Sequence, residues 1–520
     1  MSIITNKMLA VVAIISRWMD GSLFFRGFVG ALNFLRDYCG RSFIAQAFVG
    51  DDVELESSLQ KSFFVRLLDK ILNGFPRFVH APLVVQSRLL QFLEGSWIVA
   101  TICEGVGAKI PAQYSAKDKH ARGSVFAWLL FAVPAFGIAI VILATPFLPT
   151  MMLGGALVLI LLLTLISRRF VIDGTAVFLV LFILVSFVVA ATSFAMRHSM
   201  QIAMITAIFM LSAIVVTSIA TSRKVVDFLL LVFIASAGAT GLYGMYQVLA
   251  GYRSDLWLDQ ALHADISNRI SSSFGNPNVF ATYLLLLIPI VAAGIIFFKN
   301  YFLKFCALGA TALLFGNLML TYTRGAYVAL PLAVIVFVLI MEKRLLILLA
   351  ALVPFVPLVL PTTVLNRMLS IVNLSDTSTI FRMSIWQGSI RIVGDFWLVG
   401  VGQGLEAFHT VYPYYALAAA GTLHSHNLFI QTLVEFGIVG FVLLIAIIAC
   451  FFRAHANFLR RVKDTSARVM SAAMVAAMVA FLVQGIFDHS FFNYSIMLAF
   501  YLFLGLGIAF TRVHGGADNA

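Results

Sequence analysis

Charge is scarce in this sequence. Only 11% of its 520 residues are charged while 61% are hydrophobic, a balance that excludes a soluble globule, because such a chain would expose large apolar patches to water. Cysteine is nearly absent as well. Cys39, Cys103, Cys306 and Cys450 are scattered without metal-ligand spacing, and two of them fall in apolar runs where a thiol behaves as a small hydrophobe. A small-residue cleavage site is also wanting after Met8 to Ser16, a short apolar stretch behind Lys7, so of a signal peptide and a retained amphipathic segment the expectation is the second. The net charge of +12 points to the positive-inside bias of membrane helices rather than to nucleic acid.

What is present is a run of membrane-length apolar segments. Residues 1–123 hold 14 of the 35 basic and 10 of the 23 acidic residues, mixed with apolar positions at helical spacing such as Phe63, Leu67, Ile71 and Leu72. They read as a separate cytoplasmic or interfacial amphipathic segment. From 124 to 520 the expectation is an all-α, polytopic membrane domain of about 12 spans, each long enough to cross the roughly 30 Å hydrocarbon layer. The spans lie near 125–146, 150–166, 173–192, 202–221, 226–249, 278–298, 304–321, 325–341, 344–361, 428–452, 469–486 and 491–511. With the amino terminus placed in the cytoplasm, the basic loops fall inside, both termini are cytoplasmic, and a long outer loop, 362–427, joins helices 9 and 10. Within that loop Arg382 to Ile392 reads as a short helix.

Lysine is missing from the outer side altogether. Beyond residue 123, Lys224, Lys299, Lys304, Lys343 and Lys463 all fall inside, whereas the outer basic residues are Arg197, Arg253, Arg269, Arg324, Arg367, Arg382 and Arg391. Selection of the planar guanidinium fork fits bidentate binding of phosphate. The plain alternative is snorkelling to lipid headgroups or capping of helix ends, and Arg197, Arg253 and Arg367 are assigned to it. Arg324, in Thr321-Tyr322-Thr323-Arg324-Gly325, sits in a turn between two spans and is held at the membrane surface, where an arginine needs a partner. Arg269 precedes Ser273-Phe274-Gly275-Asn276-Pro277-Asn278, in which glycine and proline shape the start of a membrane helix and the asparagines can satisfy its first amides.

The outer loop ends in His424-Ser425-His426-Asn427, and histidine titrates near neutrality, so a base is available. Two histidines two apart also suggest a metal, but no further ligand stands at companion spacing, and the metal reading is set aside. Asn427, Gln431 and Glu435 share one helix face; Glu435, below the surface, reads as structural glue or support for the site. Asp488, His489 and Asn493 read as a polar turn rather than an acceptor entrance. Trp386, Trp397, Tyr412, Tyr414 and Tyr415 offer either sugar-stacking surface or an interfacial aromatic belt, and composition does not choose between them.

His426, Asn427, Gly437 and Gly440 fit a pattern of histidine, then Asn, Ser or Gln, nine residues, glycine, two residues and a small residue. With Arg269 before Gly275-Asn276-Pro277-Asn278, with Thr323-Arg324-Gly325, and with Arg382 and Trp386, the chain resembles the O-antigen ligase and O-antigen polymerase family over roughly residues 150–510. The resemblance implies inverting, metal-independent transfer of a glycan from an undecaprenyl diphosphate carrier to a sugar hydroxyl of lipid A core or another glycan, at the outer face of the bacterial inner membrane. It implies diphosphate binding by Arg269, Arg324 and Arg382, a catalytic base at His426, support from Arg391, His424, Asn427 and Glu435, and no cofactor, metal or nucleic acid. Two alternatives stand: a polymerase of the same family, and a transporter of an anionic lipid, which would carry ionisable groups at the midplane instead of at the surfaces.

Overall fold

The computed structural model describes residues 65–67, 125–167, 170–252, 269–372, 377–417 and 421–516. The chain divides into a unit of Met1–Leu67 and a unit of Leu68–Ala520, and the helical bundle belongs to the second. The expected amphipathic segment and Arg253 lie outside the described residues, apart from 65–67.

Fifteen principal helices make up the described part: α1 (Val125–Ala144), α2 (Thr150–Ser167), α3 (Gly174–Ala191), α4 (Met196–Ile219), α5 (Arg223–Leu249), α6 (Pro277–Phe297), α7 (Tyr301–Leu320), α8 (Arg324–Met341), α9 (Leu345–Leu352), α10 (Thr362–Leu369), α11 (Thr377–Asp395), α12 (Leu405–Val411), α13 (Leu428–Arg461), α14 (Thr465–Phe487) and α15 (Tyr494–Gly515). No strand occurs among the described residues. Nine of these helices, α3 to α8 and α13 to α15, are long and apolar enough to cross a membrane, against the twelve spans expected. The difference lies in three places. α1 and α2 contribute apolar stretches, Val133–Ala144 and Thr150–Leu165, that are shorter than a full span. Residues 344–361 do not form one helix: α9 ends at Leu352, and Val353–Phe355 and Val356–Val359 follow as short turns. Pro354, Pro357 and Pro361 explain the break, since each removes an amide donor and crowds the preceding turn.

Chain chemistry fixes the helix starts. Asp173, Ser222, Asn276, Asn300, Asn427, Asp464 and Asn493 each accept a backbone amide at the first turn of α3, α5, α6, α7, α13, α14 and α15, satisfying donors that lipid cannot. α14 packs against α6, α8 and α13, and α15 against α4. Ala467, Ser471, Ala472, Ala473, Ala476, Ala477 and Ala480 line the buried α14, and small side chains let backbones approach where no hydrophobic drive separates helix from lipid.

One break has large consequences. α13 is not continuous, because Gly437 adopts φ 62° and ψ −164°, a conformation essentially restricted to glycine. The backbone groups freed there are taken up by the glycine-rich turn from Trp397 to Gly404. Ile438 N donates to Trp397 O at 2.7 Å, Val401 N to Val434 O at 2.9 Å and Gly402 N to Glu435 O at 3.2 Å. Glycines at 400, 402 and 404, all with positive φ, permit this approach: a Cβ on Gly400 would come within 2.5 Å of the Glu435 carbonyl. The glycine that the family pattern places after His426 thus breaks the helix and docks the middle of the long loop onto it.

Gly437→Ala is expected to destabilise the detergent-solubilised protein by at least about 1–3 kcal/mol for the backbone conformation alone, with further loss because the new Cβ would meet the Leu398 carbonyl at 2.3 Å. Gly316→Ala, with nothing within 4 Å of the added carbon, should be neutral or stabilising by up to about 1 kcal/mol. Paired thermal melts check both.

Candidate functional site

Polar chemistry collects at one end of the bundle. The loops that meet there are those around 193, 247–252, 269–277, 321–324, 400–404, 424–428 and 486–494, tied by Phe194 N to Val401 O, Ile270 N to Leu320 O, Gln247 Nε2 to Ser272 O and Asn427 Nδ2 to Ile486 O. Among the described residues, the non-glycine positions with positive φ are Ser272, Tyr322 and His426, and all three belong to this end. Such conformations cost about 1–3 kcal/mol each and persist only where their surroundings enforce them.

His426 is held by its neighbours on both sides. Asn427 caps α13, its Oδ1 accepting from Phe429 N and Ile430 N at 2.9 and 3.0 Å, and its Nδ2 donates to Ile486 O on α14. Ser425 N donates to Gln431 Oε1 at 2.7 Å, Gln431 Nε2 donates to Glu435 Oε1 at 3.0 Å, and Gly404 N donates to the same carboxylate oxygen at 3.3 Å. The helix face of Asn427, Gln431 and Glu435 expected from their spacing is therefore a strut linking the histidine loop to the glycine stretch. Glu435 is buried within it. A cavity of about 120 Å³ lies beside this strut, with Gln403, Glu435, His489 and Tyr494 among its polar lining and Phe182, Met210 and Leu444 among its apolar lining.

Sequence reasoning puts Asp488 in a polar turn and misses its part in the site. His426 Nδ1 stands 3.3 Å from Asp488 Oδ1, across 62 residues of chain. Burial alone would push this carboxyl up, but the hydrogen bond from His426, with the positive field of Arg382, outweighs it and holds the carboxylate below its ordinary range. A carboxylate at this distance can accept a proton carried on Nδ1, and a ring so held presents Nε2 as a hydrogen-bond acceptor. The side chain of His426 is 27% exposed, whereas that of its neighbour His424 is buried. The only trace of this partner in the sequence is a lone acidic residue directly after an apolar span.

His424 has a different part. It is 8% exposed and its Nδ1 accepts from His426 N at 3.1 Å; burial, with the positive fields of His426, His489 and Arg382, pushes it down to about 2. It stays neutral and props the loop. His489, pushed down to about 3 chiefly by burial, packs with its ring 5.6 Å from that of His424.

The arginines converge on the same region. Arg269 is 3% exposed; its Nε donates to Thr321 O at 2.8 Å and its Nη2 to Asn278 Oδ1 at 2.9 Å and Thr323 Oγ1 at 3.3 Å. Asn276 caps α6 as its sequence suggests, but Asn278 serves Arg269 instead. Burial and the positive fields of Arg367, Arg382 and Arg324 push the Arg269 guanidinium down to about 9, so four arginines share one electrostatic neighbourhood. Arg324 opens α8, where Gly325 fits so closely under α14 that a Cβ would meet Gln484 Oε1 at 2.4 Å and Phe487 Cβ at 2.9 Å. That packing seats Arg324 next to the helix end that carries Asp488. Arg382, on α11, is felt by Arg269, His424 and Asp488 alike, and it joins the arginine group to the histidine group. α11 is longer than the short helix expected at 382–392.

The outer arginines with simpler assignments divide. Arg367, expected to snorkel to headgroups, is instead 8% exposed with Nε donating to Tyr322 O at 3.3 Å. It binds the carbonyl of the strained Tyr322, next to the Thr321 carbonyl that Arg269 holds. Arg197 is exposed, in keeping with a surface role, and so is Arg391.

A helical bundle with membrane-length spans and an arginine and histidine site at one end defines a multi-pass membrane protein. Residues 309–445 match the family model described as O-antigen ligase, which bears out the resemblance carried by the motifs. The match takes in Arg324, Arg367, Arg382, His424, His426, Asn427, Glu435 and Gly437; Arg269 and Asp488 join it only through the fold. Among curated proteins no relative matches.

Asn278→Ala is expected to cost about 1–3 kcal/mol of stability, since it strips a partner from a buried charged group, and to weaken any anion bound at this end. Thermal melts with and without inorganic pyrophosphate measure both effects.

Proposed function

We propose that the protein transfers a glycan from an undecaprenyl diphosphate carrier to a sugar hydroxyl at the outer face of the inner membrane, in the manner of an O-antigen ligase. The observation that carries this reading is the juxtaposition of a crowded arginine group with a histidine whose Nδ1 stands 3.3 Å from the Asp488 carboxylate. Mutual repulsion among Arg269, Arg324, Arg367 and Arg382 is relieved by a polyanion, and a diphosphate supplies the charge at the membrane surface. The O-antigen ligase match over 309–445 supports the same chemistry.

The reaction is a direct displacement. The acceptor oxygen attacks the anomeric carbon as the bond from that carbon to the diphosphate oxygen breaks, and His426 Nε2 takes the hydroxyl proton. The products are the glycoside of inverted configuration and the free lipid diphosphate. Arg324 and Arg382 face the leaving group and neutralise the charge that develops on it. Arg269 contributes its charge from beneath, with Nε and Nη2 engaged by Thr321, Asn278 and Thr323. Asp488 is a positioning residue, stabilising the imidazolium as it forms. The chemistry calls for no metal, because the arginines supply the positive charge that a cation would otherwise provide.

Outward orientation rests on the charge asymmetry. Val171 meets Ser218, and Arg223 and Asp227 meet His514, at the end opposite the site, where Lys224, Lys299, Lys304, Lys343 and Lys463 gather by chain order. The positive-inside rule puts that end in the cytoplasm and both chain termini with it. Ligase is favoured over polymerase; loss of a ligase leaves long unattached polymer on the lipid carrier, whereas loss of a polymerase leaves single repeat units, and lipid-linked sugars from a deletion strain show which accumulates. The transporter alternative has little support, since the arginine group lies at one end of the bundle rather than at midplane.

His426→Ala should lower transfer of labelled lipid-linked glycan by about 10²- to 10⁴-fold, the usual contribution of a general base, with normal membrane insertion. Asp488→Asn should lower kcat within the same rough range with little change in donor KM, and Arg324→Lys should abolish transfer by losing the bidentate fork. Wild-type turnover by the His426 variant would refute the assignment.

A further inference from the structure

The two histidines that sequence spacing left without a third ligand acquire one in the fold. One potential ligand atom from each of His424, His426 and Asp488 lies within 4.8 Å of the others. His426 Nδ1 and Asp488 Oδ1 are 3.3 Å apart, close to the edge of a tetrahedron built on bonds of about 2.0–2.2 Å. Two imidazoles and one carboxylate suit Zn²⁺ better than Mg²⁺ or Ca²⁺, which prefer all-oxygen sets. The loop also holds the donors in place: Asn427, Gln431 and Ser425 fix the backbone on which both histidines stand.

We propose that His424, His426 and Asp488 form a Zn²⁺ site on the outward face, and that occupancy of it shuts off the transfer reaction. The inhibitory half of this proposal rests on the glycosyltransfer reading; the binding half does not. Inhibition follows from which nitrogen of His426 meets the ion. The base needs its proton on Nδ1, shared with Asp488, so that Nε2 is free. A cation on Nδ1 displaces that proton and takes Asp488 as its own ligand. The imidazole that remains neutral then carries its proton on Nε2, and no lone pair faces the acceptor hydroxyl. Arg382 lies close enough to influence both His424 and Asp488, and its positive charge weakens cation binding, which keeps the site reversible.

The test uses full-length, tag-free protein in detergent, stripped with EDTA, desalted and titrated with ZnCl₂ against a competing zinc dye, with bound metal counted by mass spectrometry. One Zn²⁺ per chain is expected, with affinity falling by about tenfold or more in both His424→Gln and Asp488→Asn. Using two variants guards against either one failing to fold, and each is checked by its melting curve. Transfer by the wild type should be unaffected by EDTA and should fall as Zn²⁺ fills the site, recovering on chelation. Absence of a stoichiometric ion, or binding that survives both substitutions, overturns the site; zinc-stimulated transfer overturns the inhibition. If zinc binds as expected and no glycan is transferred under any condition, the binding site stands and the glycosyltransfer reading fails.

Discussion

Inside a hydrocarbon layer no water is available to complete a broken backbone hydrogen bond, so every departure from helix must be satisfied by protein. Most of this structure obeys that constraint simply, through uninterrupted spans capped by Asp, Ser or Asn. The interruption of α13 at Gly437 is the exception on which the site depends. Its freed groups are paired by the Trp397–Gly404 stretch, and that pairing carries the long loop back onto the helix whose first turn presents His426. Glu435, buried two residues short of the break, then links Gly404 to Gln431 and so to the histidine loop. Helix break, loop path and histidine geometry are one connected arrangement.

The electrostatics of the site follow from the same economy. Arg269 and Arg367 are buried and bonded to the carbonyls of Thr321 and Tyr322, clasping the turn from which Arg324 emerges. Their charges repel, and burial intensifies the repulsion. A preorganised cluster of this kind is costly without an anion and favourable with one, which is the condition for stabilising charge as it develops on a leaving group. Nearby, an ionised Asp488 beside neutral His424 and His489 gives His426 a single carboxylate partner. The two halves meet through Arg382.

Much of this is legible in the residues themselves. Apolar runs of membrane length, the restriction of lysine to one set of loops, the capping asparagine at 276 and the histidine and arginine motifs depend on local composition or on short spacing. For these, periodicity and solvent preference act within a few turns of chain. Helical repeat alone places Asn427, Gln431 and Glu435 on one face, and the structure finds Gln431 bonded to Glu435 there, with Asn427 capping the same helix.

The remainder required tertiary structure, for a physical reason in each case. Sequence alone determined that the chain is a multi-pass helical protein whose arginine and histidine motifs stand at one surface, because hydrophobicity and charge are properties of each segment taken separately. It could not place Asp488 beside His426, since that contact spans 62 residues and arises only when α14 packs against the start of α13. Nor could it show that Arg367 is buried rather than snorkelling, or that Gly437 breaks its helix, because each depends on what another segment brings against it. Where an interaction is local, the sequence specifies it; where a charge finds its partner across the bundle, only the packing decides.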